Sequence, residues 1–143
     1  MDKGKLFQQF VRFTTSVHQV TNDMTKEIKI ENITTVQYKI LEFITVSQPV
    51  TLSEISECLH LSLPNSSREL KKLIQSQLCE KIIDPNDRRK FDIRLTEKGT
   101  ALMNEVFQQL ELKFQERINH LTESELEEME EAIQILQTKF LDR

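Results

Sequence analysis

Thr51-Leu52-Ser53-Glu54-Ile55-Ser56-Glu57-Cys58-Leu59-His60-Leu61-Ser62-Leu63-Pro64-Asn65-Ser66-Ser67-Arg68-Glu69-Leu70-Lys71-Lys72-Leu73-Ile74 is the stretch on which the fold turns. Thr51-x-x-Glu54 has the form of a capping box, in which a hydroxyl accepts an amide proton at a helix start and an acid three residues on returns the bond. The helix it opens carries Leu52, Ile55 and Leu59 inward. His60-Leu61-Ser62 then breaks the pattern. Ser62 can cap a second helix, and Pro64 is tolerated because it falls in the first turn, where a missing N–H has no partner to lose. Leu70, Leu73 and Ile74 share the inner side of this second helix, which predicts that Asn65, Ser66, Arg68, Lys71 and Lys72 face out. Two short helices across so brief a joint read as a helix-turn-helix.

Downstream, Leu78 to Ile83 and Phe91 to Leu95 are β-prone runs around Asp84-Pro85-Asn86-Asp87-Arg88-Arg89-Lys90, a string of turn formers ending in three cations. They predict a β-hairpin with a basic tip. Thr96 can cap a long helix from about Lys98 that carries Leu102, Val106, Leu110 and Phe114, and Thr122-Glu123-Ser124-Glu125 opens a last one. In that last helix Leu126, Met129, Ile133, Leu136 and Phe140 recur at alternating spacings of three and four.

Upstream, Thr34-Thr35-Val36-Gln37 is another capping box. It opens a helix that turns Tyr38, Leu41 and Ile44 inward and ends before Pro49. Before it, Leu6, Phe10, Phe13, Val17, Val20 and Met24 draw one apolar stripe along a helix from about Lys5 to Thr25. Stripes at both ends of the chain exceed what one small winged domain covers by itself, and they suit a subunit interface. The expected fold is therefore mainly α with a small β-hairpin wing. A winged helix-turn-helix spans about 34–97, flanked by dimerisation helices at about 5–28 and 98–143, all within one domain, 1–143. The dimerisation residues expected are Leu6, Phe10, Phe13, Val17, Leu126, Met129, Ile133, Leu136 and Phe140.

The chain has 143 residues, enough to bury a core without disulfides or metals, and 38% hydrophobic with 29% charged residues, an ordinary globular balance. No apolar run reaches the ~18 residues that span a bilayer, and Met1-Asp2-Lys3-Gly4-Lys5 does not begin a signal peptide, so membrane insertion is not expected and the cytoplasm is. No Gly-rich phosphate loop, GxSxG, HExxH or useful Cys–His pairing occurs, which argues against an enzyme. Cys58 and Cys79 read as reduced, largely buried thiols, and His18, His60 and His120 are scattered. Neither a metal nor a cofactor is expected, although Cys58-x-His60 can contribute two ligands if others join them.

The net charge of −4 conceals a division. Residues 68–94 hold eight basic against five acidic side chains, and residues 111–143 hold four against nine. A basic face with an acidic end turned elsewhere suits a polyanion. A helix matches the width of the major groove, so Pro64, Asn65, Ser66, Ser67 and Arg68 at its start are candidates for base edges, with Lys71 and Lys72 for phosphates. Asp87, Arg88, Arg89 and Lys90 at the hairpin tip suit an adjacent minor groove or its rim. Double-stranded DNA is the expected partner, read by a homodimer. The competing reading is a winged helix used for protein interaction, without DNA readout.

Asp87-x-Arg89-x5-Leu95-Thr96-x2-Gly99 resembles the wing signature of the MarR family of transcriptional regulators. Thr51 to Ile55 with Leu61-Ser62, and Thr34-x2-Gln37-x3-Leu41, resemble the family's helix-turn-helix and the helix before it. The resemblance implies a dimeric repressor or activator whose recognition helix runs from Pro64 to about Gln75, with Arg89 held by Asp87 and directed at DNA. It also implies a small aromatic effector. Three positions depart from the family pattern: Gln77 replaces a usual glycine, Ile82-Ile83 a usual basic pair, and Pro64 a usual small polar residue. Peroxide-sensing relatives carry a reactive cysteine in the first helix, and this chain has none there.

Overall fold

The structure, a computed structural model, describes residues 1–28 and 30–142. The order is α1 (Lys3–Thr25), α2 (Thr35–Ser47), α3 (Leu52–Leu59), α4 (Leu63–Gln75), β1 (Cys79–Ile83), β2 (Phe91–Leu95), α5 (Glu97–Ile118), α6 (Glu123–Leu136) and a π-helical turn, Gln137–Leu141. The chain separates into two compact units, one of Glu27–Gln108 and one of Met1–Lys26 with Gln109–Arg143.

In the Glu27–Gln108 unit, the core is built by α2 to α4, the hairpin and the start of α5. Ile40, Leu41, Ile44, Val50, Ile55, Leu70, Leu73, Ile93 and Met103 are buried together. Thr34 caps α2 through the capping box, its hydroxyl accepting the Gln37 N–H at 3.1 Å while the Gln37 side chain accepts the Thr34 N–H at 3.2 Å. Thr51 caps α3, accepting the Glu54 N–H at 3.1 Å. His60 then turns the chain in the left-handed region (φ 53°), and the Leu61 N–H reaches back to the Ser56 carbonyl at 3.0 Å. Ser62 caps α4 by accepting the Asn65 N–H at 3.2 Å, with Pro64 in the first turn as expected.

Gln77 ends α4 at φ 61°. Its N–H bonds the Ile74 carbonyl (2.9 Å) and the Leu78 N–H bonds that of Leu73 (3.0 Å), the Schellman pattern in which a glycine is the usual left-handed residue. The hairpin that follows pairs Cys79 with Leu95 through to Ile83 with Phe91. Val50 adds a single bridge to Ile93, with N–O distances of 3.0 and 2.7 Å, and the Gln48 side chain accepts the Leu95 N–H at 3.0 Å. The base of the wing is thereby fastened to the chain that precedes α3. Thr96 closes the other side: its hydroxyl donates to the Gln77 carbonyl (2.6 Å) and accepts the Gly99 N–H (3.0 Å).

In the other unit, α1 begins at Lys3, two residues earlier than expected, because Asp2 accepts the amide protons of Gly4 and Lys5 at 2.9 and 3.1 Å. Neither α1 nor α6 has a buried residue. Phe10 and Phe140 meet with ring centroids 4.8 Å apart. Leu6, Phe13, Val17, Ile133 and Leu136 are exposed, and so are Phe7 and Val11, which the expected stripe omitted. Leu126 and Met129 are half-buried. The stretch expected at 98–143 is two helices with a break at 119–122, and its final residue lies outside the described residues. No described helix is long and apolar enough to cross a membrane.

Candidate nucleic-acid interface

The physical chemistry of α4 separates two sets of residues. Leu70 and Leu73 are buried and hold the helix to the core, while Pro64, Asn65, Ser67, Arg68, Lys71 and Lys72 are exposed. Ser66 corrects the expectation that it faces out: it is 0% exposed. It lies one helical repeat before Leu70, and its hydroxyl shares a hydrogen bond of 2.8 Å with that of Ser56 on α3. Ser66 is therefore the polar pin of the helix-turn-helix, unable to reach a base.

On the exposed side, the Arg68 guanidinium donates to the Asn65 side-chain oxygen. The bond joins neighbours one turn apart and holds both groups over the first turn of α4, where hydrogen-bonding side chains are best placed for a groove. Lys72 lies 3.5 Å from the Glu69 carboxylate, whereas Lys71 makes no ion pair among the described residues.

The wing tip is ordered by its own acids. Asp84 accepts the Asn86 N–H at 2.8 Å, and the Asp84 N–H bonds the Lys90 carbonyl at 2.9 Å. Asp87 accepts both the Arg89 N–H (3.0 Å) and Nε (3.2 Å). The Arg89 side chain is still 92% exposed, so the carboxylate aims it without covering it. Arg88 and Lys90 are exposed and make no ion pair among the described residues. Lower on the hairpin, Arg94 donates to Glu80 at 2.8 Å and the Lys81 ammonium stands 4.3 Å from the centre of the Phe91 ring, so those two cations are engaged within the wing. A groove of about 740 Å³ opens between the start of α3, Leu63 and the wing, with Ile82, Ile83, Arg89 and Lys90 among the residues that line it.

A helix-turn-helix with a polar, cationic helix and a clamped basic wing is one chemical arrangement, and it coincides with a known one. The model of the MarR family matches residues 33–91, from just before α2 to the start of β2. Over that stretch the chain is similar to the MarR family. It is 25% identical to the HTH-type transcriptional regulator MhqR of Bacillus subtilis over 123 residues, covering 86% of this chain and 85% of that one. A MarR family protein from Bacillus stearothermophilus has the same fold, with a TM-score of 0.74, 16% identity and coverage of 99% of each chain. So does Streptococcus pneumoniae FabT solved in complex with DNA, with a TM-score of 0.64, 18% identity and 96% of each chain covered. The protein is accordingly a DNA-binding transcriptional regulator of the winged helix-turn-helix kind.

The regulator's cysteines differ from expectation in one respect. Cys79 is buried, and burial pushes its thiol up to about 12, while Cys58 is exposed on α3. Partial burial, reinforced by the negative charge of Glu42, raises the Cys58 thiol as well, which disfavours the reactive thiolate. Cys58 and His60 acquire no further ligands: no cluster of three metal-binding side chains forms among the described residues.

The pairing of Gln37 with Glu69 was not singled out from the sequence. Gln37 is only 7% exposed, and its amide nitrogen donates to Glu69 Oε2 at 3.0 Å, tying α2 to the middle of α4. The capping box announces Gln37, but nothing in the spacing announces a partner 32 residues away.

Proposed function

We propose that this regulator binds pseudo-palindromic operator DNA as a homodimer and acts as a repressor, with a small aromatic effector as the releasing signal that the family resemblance implies. Asn65, Ser67 and Arg68, with Pro64 shaping the helix entry, meet base edges in the major groove. Lys71, Arg88 and Lys90 serve phosphates, Lys72 lies on the same face beside Glu69, and Arg89, aimed by Asp87, meets the neighbouring minor groove. The reading rests chiefly on the clamp between Asp87 and Arg89, which fixes the base of a guanidinium that stays almost fully exposed at the hairpin tip. A merely solvated turn has no need of it. The chain does no chemistry of its own in this reading.

Dimerisation is supported by α1 and α6, whose apolar residues include many without cover: Phe7 is 66% and Ile133 56% exposed. Patches of this kind on a soluble chain ordinarily belong to an interface, and a two-fold pair of recognition helices then fits half-sites about one helical turn apart. Selection of bound fragments from genomic DNA with the purified protein tests the proposal. Enrichment of an inverted repeat is expected. Recovery of no sequence above background, with no duplex binding, would instead favour a winged helix used for protein interaction.

A further inference from the structure

We propose that Glu69 is a fixed negative charge that keeps Lys72 off DNA phosphates, lowering affinity for duplex of any sequence by one phosphate contact per recognition helix. The proposal rests on the reading of α4 as that helix.

Glu69 is the one acid in Leu63–Gln75, set between Arg68 and the two lysines. An exposed glutamate facing a polyanion ordinarily rotates away. Here rotation is blocked, because Oε2 accepts the Gln37 amide at 3.0 Å and the other end of that amide receives the Thr34 N–H at 3.2 Å. Gln37 is itself buried and belongs to the cap of α2, so the carboxylate is anchored to the scaffold. Its remaining oxygen, Oε1, faces the Lys72 ammonium at 3.5 Å, with side-chain exposures of 55% for the lysine and 20% for the acid.

Between two mobile, exposed side chains such a pair is weak and a phosphate displaces it readily. An anchored carboxylate changes the balance. If Lys72 moves to a phosphate, it leaves behind an uncompensated charge beside the DNA, one that neither turns to solvent nor loses its hydrogen bond from Gln37. Lys72 therefore stays with Glu69. Lys71, next to it and without an ion pair among the described residues, remains the lysine of α4 that is available to the backbone.

The test measures binding of a labelled random-sequence duplex against salt for the wild-type protein, Lys72→Ala, Glu69→Gln and the double variant. The Glu69→Gln side chain retains a carbonyl oxygen for the Gln37 amide, while the oxygen that faces Lys72 becomes an uncharged NH2 that no longer attracts the ammonium. Lys72→Ala alone should leave the salt slope unchanged. Glu69→Gln should steepen it by about one unit per recognition helix, so that over roughly a fourfold rise in salt its advantage shrinks about 3.5-fold per added contact. The double variant should return to the wild-type slope. The proposal is overturned if Lys72→Ala by itself flattens the slope by about one unit, or if Glu69→Gln leaves it unaltered. Should Glu69→Gln fail to fold, Lys72→Ala, at an exposed position, decides alone. Absence of salt-dependent duplex binding by the wild type overturns the DNA reading itself and is seen before any variant is made.

Discussion

Asp87 grips Arg89 at the tip of the wing, its carboxylate accepting both the arginine's backbone N–H at 3.0 Å and its Nε at 3.2 Å. Two opposite effects follow from removing that acid. Loss of a negative charge near DNA favours binding to any duplex, whereas loss of the clamp frees the guanidinium and raises the entropy cost of fixing it in a groove. On a selected operator the clamp should dominate. Asp87→Ala is expected to weaken operator binding by about 1 kcal/mol, roughly fivefold, while leaving random-duplex binding equal or slightly tighter. Fluorescence anisotropy on both duplexes checks the sign of each change.

Gly99 lies where a Cβ would stand 2.1 Å from the Leu78 carbonyl oxygen and 3.0 Å from its carbon. Both atoms are backbone, and the same carbonyl accepts the Thr96 N–H at 3.1 Å, so the wing base has no flexible side chain with which to yield. Gly99→Ala should cost at least about 2 kcal/mol in urea unfolding at fixed protein concentration.

Gln77 has φ 61° and an exposed side chain. A glycine there avoids the crowding that a Cβ suffers in the left-handed region, against a greater loss of freedom from the unfolded chain. Gln77→Gly is expected to stabilise by about 0.5 to 1 kcal/mol. A raised urea midpoint with an unchanged slope is the expected observation.

Phe13 and Val17 are exposed on α1. If a second copy covers them, Phe13→Glu or Val17→Glu places a charge in an apolar interface, and the protein should become monomeric by light scattering at micromolar concentration. Operator binding should fall with it, since one half-site alone provides half of the contacts. A monomeric wild type under the same conditions contradicts the proposed dimer.

The helices were legible because their starts carry capping chemistry and their inner faces keep the helical period. Thr34, Thr51, Ser62 and Thr122 each cap the helix they were expected to open. The wing was legible from its turn residues, and its strands run from Cys79 to Ile83 and from Phe91 to Leu95. Ser66 was misread because polarity was given more weight than period. With Leu70 and Leu73 it forms an i, i+4, i+7 series that faces the core, and Ser56 opposite supplies the partner its hydroxyl needs. Cys58 was misread from the general tendency of thiols to be buried. The bond from Gln37 to Glu69 was not legible at all, since it depends on how α2 and α4 cross.

A hydroxyl-radical footprint of the wild type and of Arg89→Ala, on one operator selected from genomic fragments, tests the winged-helix reading of DNA most directly. The wild type should protect a two-fold symmetric centre, where the recognition helices lie, together with outer flanks where the wings lie. Arg89→Ala should lose the flanks first, keep the centre at higher protein concentration, and show a salt slope lower by about one unit per half-site. Flanks left unchanged, with affinity reduced by less than about twofold, would contradict the wing's place on the DNA.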